Sequence, residues 1–154
     1  MNIAAEICAS LADDWLPTAY KEKVRSQRTR SYHLEIPIRE NRAEIQYTLL
    51  GIELKVGKRR FGCPDLATAR YLRVFARIGC RDFAVPYDIS RISGIADELE
   101  TAWQRTLIVA EAASPGDDIA LRSVVKTMRT EIIAIGPGDA MPLFDRETRQ
   151  RKPE

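Results

Sequence analysis

The stretch AEIQYTLLGIELKVGKRRFGC, residues 43–63, decides how this chain of 154 residues is read. Ile45, Tyr47 and Leu49 alternate with other residues, and after Gly51 the side chains Ile52, Leu54 and Val56 fall on one face, with Glu53 and Lys55 on the other. A period of two marks half-buried strands. The pattern leaves open whether 43–56 is one long strand or two short ones broken at Gly51. Gly57-Lys58 is a hairpin signal that leads into Arg59-Arg60-Phe61.

Upstream, Leu34, Ile36 and Ile38 alternate with His33, Glu35 and Arg39 as another strand, and Glu40-Asn41-Arg42 is its turn. Residues 20–32 are basic and weakly apolar and read as a connector or arm. Ahead of them Ile3, Ile7 and Leu11 recur at helical spacing behind an Asn2 N-cap, and Pro17 reads as a stop. Downstream, Pro64 and Asp65 suit a helix start, Tyr71, Val74, Phe75 and Ile78 share a face, and Gly79 closes the helix. A strand over 82–87 follows, then a helix from about Ser93 to Ala113, then one capped by Asp118 whose end, Glu131–Ile135, also reads as a short strand.

The order is α-β-β-(β)-α-β-α-α. It predicts an α/β (or α+β) fold with a mixed sheet of about four strands and helices on both sides. A right-handed crossover over 52–87 would set two strands parallel. Residues 1–136 read as a single globular domain and 137–154 as an irregular C-terminal tail.

Composition is ordinary for a soluble domain, with 45% hydrophobic and 30% charged residues, and it excludes a disordered or fibrous chain. No apolar run approaches the roughly 20 residues that span a bilayer, and Glu6, Asp13 and Asp14 do not fit a signal peptide. A cytoplasmic location without membrane attachment is therefore expected. Cys8, Cys63 and Cys80 form an odd set without C-x-x-C spacing, and His33 is the single histidine. Reduced, mostly buried thiols are the expected state.

The net charge of +2 hides a strong asymmetry: −3 over residues 1–20, +9 over 21–81 and −4 over 82–154. A basic middle third points to a polyanion, because clustered Lys and Arg displace counterions from phosphates. Arg70, Arg73 and Arg77 fall at helical spacing with no acid from 66 to 81. Phosphates could offset their repulsion, and so could Asp97, Glu98 and Glu100 of the following helix. Lys58-Arg59-Arg60 could contact DNA from a β-turn or protect a sheet edge.

Glu53-Leu54-Lys55 has the form E-x-K, with both charged side chains on one side of the strand. In metal-dependent phosphodiester cleavage such a carboxylate helps hold Mg²⁺, and the ammonium stabilises developing charge or positions water. The plain alternative is a solvated strand face. The chain order and this motif resemble the core of the PD-(D/E)xK nuclease superfamily over about residues 2–88. The resemblance implies catalytic Glu53 and Lys55, with Mg²⁺ held by Glu53, Glu44 and Glu6. It departs from the family at the Asp before E-x-K, since no Asp lies between Asp14 and Asp65. Glu35, Glu40 and Glu44 remain for that role, with Glu44 the best placed.

The expected function is binding of DNA or RNA through Lys58, Arg59, Arg60, Arg70, Arg73 and Arg77, extended by the motif to a Mg²⁺-dependent DNA endonuclease. The alternative is a non-catalytic regulatory or scaffold protein, acting through protein–protein contacts or as a homo-oligomer.

Overall fold

The computed structural model describes residues 2–138. Helix α1 (Ile3–Leu11) opens on Asn2, whose side-chain oxygen accepts from the Ala4 N–H at 2.8 Å. Pro17 opens a second helix rather than stopping the first. It stands in the first turn of α2 (Leu16–Ala19), where its missing N–H is not needed. This helix runs directly into a π-helical turn, Tyr20–Val24.

Five strands follow the helical start: β1 (Thr29–His33), β2 (Ala43–Thr48), β3 (Gly51–Val56), β4 (Arg59–Cys63) and, beyond helix α3 (Leu66–Ile78), β5 (Asp82–Pro86). Helices α4 (Ile92–Ala113) and α5 (Asp118–Ile135) complete the order, so Glu131–Ile135 is helical. The fold is α+β, with two small antiparallel sheets in place of one mixed sheet: β1–β5 and the meander β2–β3–β4. The expected parallel crossover is absent for a simple reason. β3 is the middle strand of its meander, flanked on both edges by β2 and β4, so β5 has no edge of β3 to join. β5 pairs instead with β1, in register from Thr29↔Pro86 to His33↔Asp82.

The stretch 43–56 is two strands, joined through Leu49 and Leu50. The Thr48 hydroxyl accepts from the Leu50 N–H at 3.1 Å and donates to the Gly51 carbonyl at 3.0 Å. Gly51 supplies the positive φ of +122° that the return needs. Gly57, at φ +62°, does the same between β3 and β4.

One core runs through the described residues, from Ala4 of α1 to Ile132 of α5. At its centre Phe75 of α3 stacks on Phe83 of β5, with ring centroids 4.0 Å apart, and Tyr20 and Tyr71 flank the pair. Ala84 of β5 turns its backbone away from β1. Its N–H donates to the Tyr20 hydroxyl at 2.7 Å and its carbonyl accepts from the Tyr71 hydroxyl. Two buried phenols thus take the place of a third strand, satisfying polar groups that would be costly to leave unpaired. Tyr20 passes its own proton to the Gly136 carbonyl at 2.6 Å, tying the end of α5 to the same centre. Burial pushes the Tyr20 phenol up to about 12, so it stays a donor at any working pH.

Candidate functional site

The outer face of the meander carries the E-x-K pair. Glu53 and Lys55 do share a side of β3, as the alternation requires, while Leu54 is fully buried beneath them. Glu44 is the cross-strand partner of Lys55, and Gln46 is that of Glu53. The Glu53 carboxylate accepts from the Arg60 guanidinium of β4 at 3.3 Å. The third expected ligand, Glu6, sits in the first turn of α1, which packs on α4 and α5 rather than on the meander. Among the described residues, no three His, Cys, Asp or Glu side chains are grouped so as to hold a metal ion. The donor set therefore does not fit Mg²⁺: one carboxylate is engaged by an arginine, one stands across from a lysine, and one is on another element. The face reads as a solvated sheet surface with cross-strand charge pairs.

The arginine row of α3 divides in two. Asp65 caps this helix, accepting from the Thr68 N–H at 2.7 Å, and burial of Tyr71, Leu72, Val74, Phe75 and Ile78 leaves Arg70 and Arg73 beside α4. Arg70 donates to Asp97 and, through Nε and Nη2, to Glu100 at 3.2 and 2.6 Å. Arg73 donates to the other Glu100 oxygen at 2.8 Å. Burial works against the Glu100 charge, but hydrogen bonds from Arg70 and Arg73 outweigh it and hold its carboxyl below the ordinary carboxylate range. Those two cations are thus offset within the molecule.

Arg77, one turn further on, meets no carboxylate among the described residues. The remaining basic candidates are also partly spent. Arg59 donates to the Glu35 carbonyl at 3.2 Å and Arg60 serves Glu53, while Lys58 stands exposed at the β3–β4 turn with no ion pair among the described residues.

The alternation over 33–39 predicts a strand there, but β1 ends at His33 and residues 34–39 are not strand. Leu34 and Ile36 are buried, but Pro37 and the arginine side chain on the Ile36 carbonyl (Arg81 Nε, 2.6 Å) hold the segment as a strap. Asn41 fastens it to the end of α3, donating from Nδ2 to the Ala76 carbonyl at 3.1 Å.

A cleft of about 380 Å³ lies between the start of the molecule and α4, lined by Asp13, Asp14, Lys23, Asp97, Glu98 and Arg105 among others. Asp14 pairs there with Arg105 and Glu98 with Lys23, while Asp13, Glu22 and Asp97 leave its lining acidic on balance.

The feature the motifs miss is the β2–β3 tip. Leu49 and Leu50 are fully exposed and Tyr47 is 72% exposed, with Leu66 of α3 partly open as well. The signal was present as a break in phase: two adjacent leucines interrupt the alternation just before Gly51.

Comparisons with family models, with curated proteins and with solved structures return no match to this chain. No helix among the described residues is long and apolar enough to cross a membrane.

Proposed function

We propose that this protein is a non-catalytic binding module that docks on a protein partner through the β2–β3 hairpin tip. The observation that carries this reading is the full exposure of Leu49 and Leu50. Burying a leucine is worth about 1.5–3 kcal/mol, and here two consecutive ones stand outside a core that takes in the leucines 11, 16, 34, 54, 72 and 99. Exposed apolar side chains gathered at a tip are the usual mark of an interaction surface. The occupant this chemistry suits is an apolar cleft on another protein, and a second copy of this chain is included in that class. The three free thiols fit the reducing, cytoplasmic setting expected for it.

The test places a photo-crosslinking residue at position 49 and, as control, at 58 in the cells that make the protein. A protein adduct at 49 that disappears with Leu50→Ser supports the docking reading. An adduct pattern that is the same at 49 and 58, or insensitive to Leu50→Ser, rejects it.

A second reading, binding of DNA or RNA, is favoured by Lys58, Arg39 and Arg42, which are exposed and carry no ion pair among the described residues. It needs no Mg²⁺ and assigns no cleavage to Glu53 and Lys55. Fluorescence anisotropy with single- and double-stranded DNA and RNA should then show affinity that falls with salt and weakens in Lys58→Ala. Salt-independent or undetectable binding removes this reading.

A further inference from the structure

The C-terminal end of α3 holds an arginine with nothing to bind. Four carbonyls end this helix, and each already has a donor. Phe75 O accepts from Cys80 N at 3.0 Å, Ala76 O from Gly79 N at 3.1 Å, Arg77 O from Asn41 N at 3.0 Å, and Ile78 O from Arg129 Nη1 at 2.7 Å. The usual service of a last-turn arginine, to satisfy orphan carbonyls, is therefore taken by other groups. Nor does Arg77 have an acid: Glu100, the nearest candidate, has both oxygens committed to Arg70 and Arg73. Among the described residues no acceptor reaches the Arg77 guanidinium.

Its neighbour is in a related position. Arg73 stands one turn earlier on the same side of the helix, about 5–6 Å away at Cβ, and uses Nη2 on Glu100. Its Nε–H is buried with no hydrogen-bond partner. A buried donor without an acceptor is uncommon in native proteins and asks for an ion or water as its explanation. Burial first and the Arg73 charge second push the Arg77 guanidinium down from its ordinary value, and Glu100 opposes them only in part. Counting formal charges, three arginines of the row face two carboxylates, Asp97 and Glu100.

We propose that Arg77 and Arg73 form a phosphate-binding site on the flank of α3. A tetrahedral phosphate offers several acceptor oxygens and at least one negative charge, which suits two guanidiniums with spare N–H donors. The site lies on a different element from the hairpin tip and does not depend on the docking reading.

The experiment follows the arginine Nε–Hε resonances of the full chain by NMR as inorganic phosphate is added at constant ionic strength, with chloride as the control anion. Saturable shifts of the Arg73 and Arg77 resonances with phosphate and not with chloride are expected. Arg77→Gln should weaken the phosphate affinity about tenfold, the loss of one or two charge-assisted hydrogen bonds. It should leave the melting temperature unchanged, because the side chain has no internal partner to lose. A second arm adds a mixed-sequence oligonucleotide. Displacement of phosphate by it assigns the site to a nucleic-acid backbone, whereas phosphate binding without competition assigns it to a small phosphorylated ligand. Shifts that do not saturate, that chloride reproduces, or that persist unchanged in Arg77→Gln overturn the proposal.

Discussion

The two sheets are built from the same kind of antiparallel pairing, yet one is anchored and the other is projected. In β1–β5, four of the five β5 residues are buried, and the second edge of the strand is closed by phenol hydroxyls from the π-helical turn and α3. The meander β2–β3–β4 buries one face on α3 and leaves its other face and its β2–β3 tip in water. The difference teaches that apolar residues here serve two ends. Phe83 holds the fold together, and Leu49 and Leu50 do not.

The sharpest way to break the contrast is at its anchored end. Phe83→Ala removes a ring stacked on Phe75 and should cost about 3–5 kcal/mol in urea denaturation, enough to unfold a marginal domain. A loss below about 1 kcal/mol would mean that the aromatic centre does not carry the fold.

Tyr20→Phe tests whether the hydroxyl matters apart from the ring. It keeps the packing against Phe75 and orphans the Ala84 N–H and the Gly136 carbonyl. A cost of about 1–3 kcal/mol is expected, together with faster amide exchange at Ala84.

How much of this could be read in advance divides along the same line. Helices α3 and α4 and the strands of the meander follow from period and capping, because their apolar residues repeat within the element itself. β1 does not: Thr29-Arg30-Ser31-Tyr32-His33 has no apolar alternation, and it is a strand because β5 pairs with it from 53 residues or so further along. Leu34, Ile36 and Ile38 mislead in the opposite sense. They alternate, but Leu34 and Ile36 are plugs on a strap held by Arg81 and Asn41, and Ile38 is exposed. For the charged residues, spacing showed that Arg70, Arg73 and Arg77 share a face. Which of them would be offset depended on where α4 crosses α3, and that crossing is a tertiary fact. The same holds for Glu53 and Lys55: alternation put them side by side, while nothing local could bring Glu6 to them.

The α3–α4 seam lends itself to a pH test. Glu100 has its folded pKa below its ordinary 4.5, so its contribution is complete above the ordinary range and is lost as the pH falls through the depressed value. Glu100→Gln should cost about 1–3 kcal/mol at neutral pH and flatten the acid limb of stability between about pH 3 and 5. An acid limb that is unchanged in the variant would show that other carboxylates set it.

At the projected end the expectation reverses. Leu49→Ser with Leu50→Ser should change the urea midpoint by no more than about 0.5 kcal/mol of stability, since neither side chain leaves a packed site. If the double variant destabilised the protein as a core substitution does, the tip would be part of the fold and the contrast between the sheets would fail.

A comparably small effect lies at the exposed margin of the anchored sheet. His33 of β1 sits between Asp82 of β5, 2.7 Å from Nδ1, and Glu35, 3.3 Å from Nε2. Its pKa is raised from 6.5, by the hydrogen bond with Asp82 first and that with Glu35 second. A raised folded value means that the clamp is fully present below about pH 6.5 and is lost as the pH climbs through the folded pKa. All three side chains are about half exposed, so solvent screens the interaction and its worth is under about 1 kcal/mol. NMR titration of the single imidazole therefore reads it better than stability does. The midpoint should lie above 6.5 in the native chain and fall toward it in Asp82→Asn. A midpoint that Asp82→Asn leaves in place would show that β1 and β5 are joined by backbone and core alone, and that their exposed end contributes nothing to the anchoring.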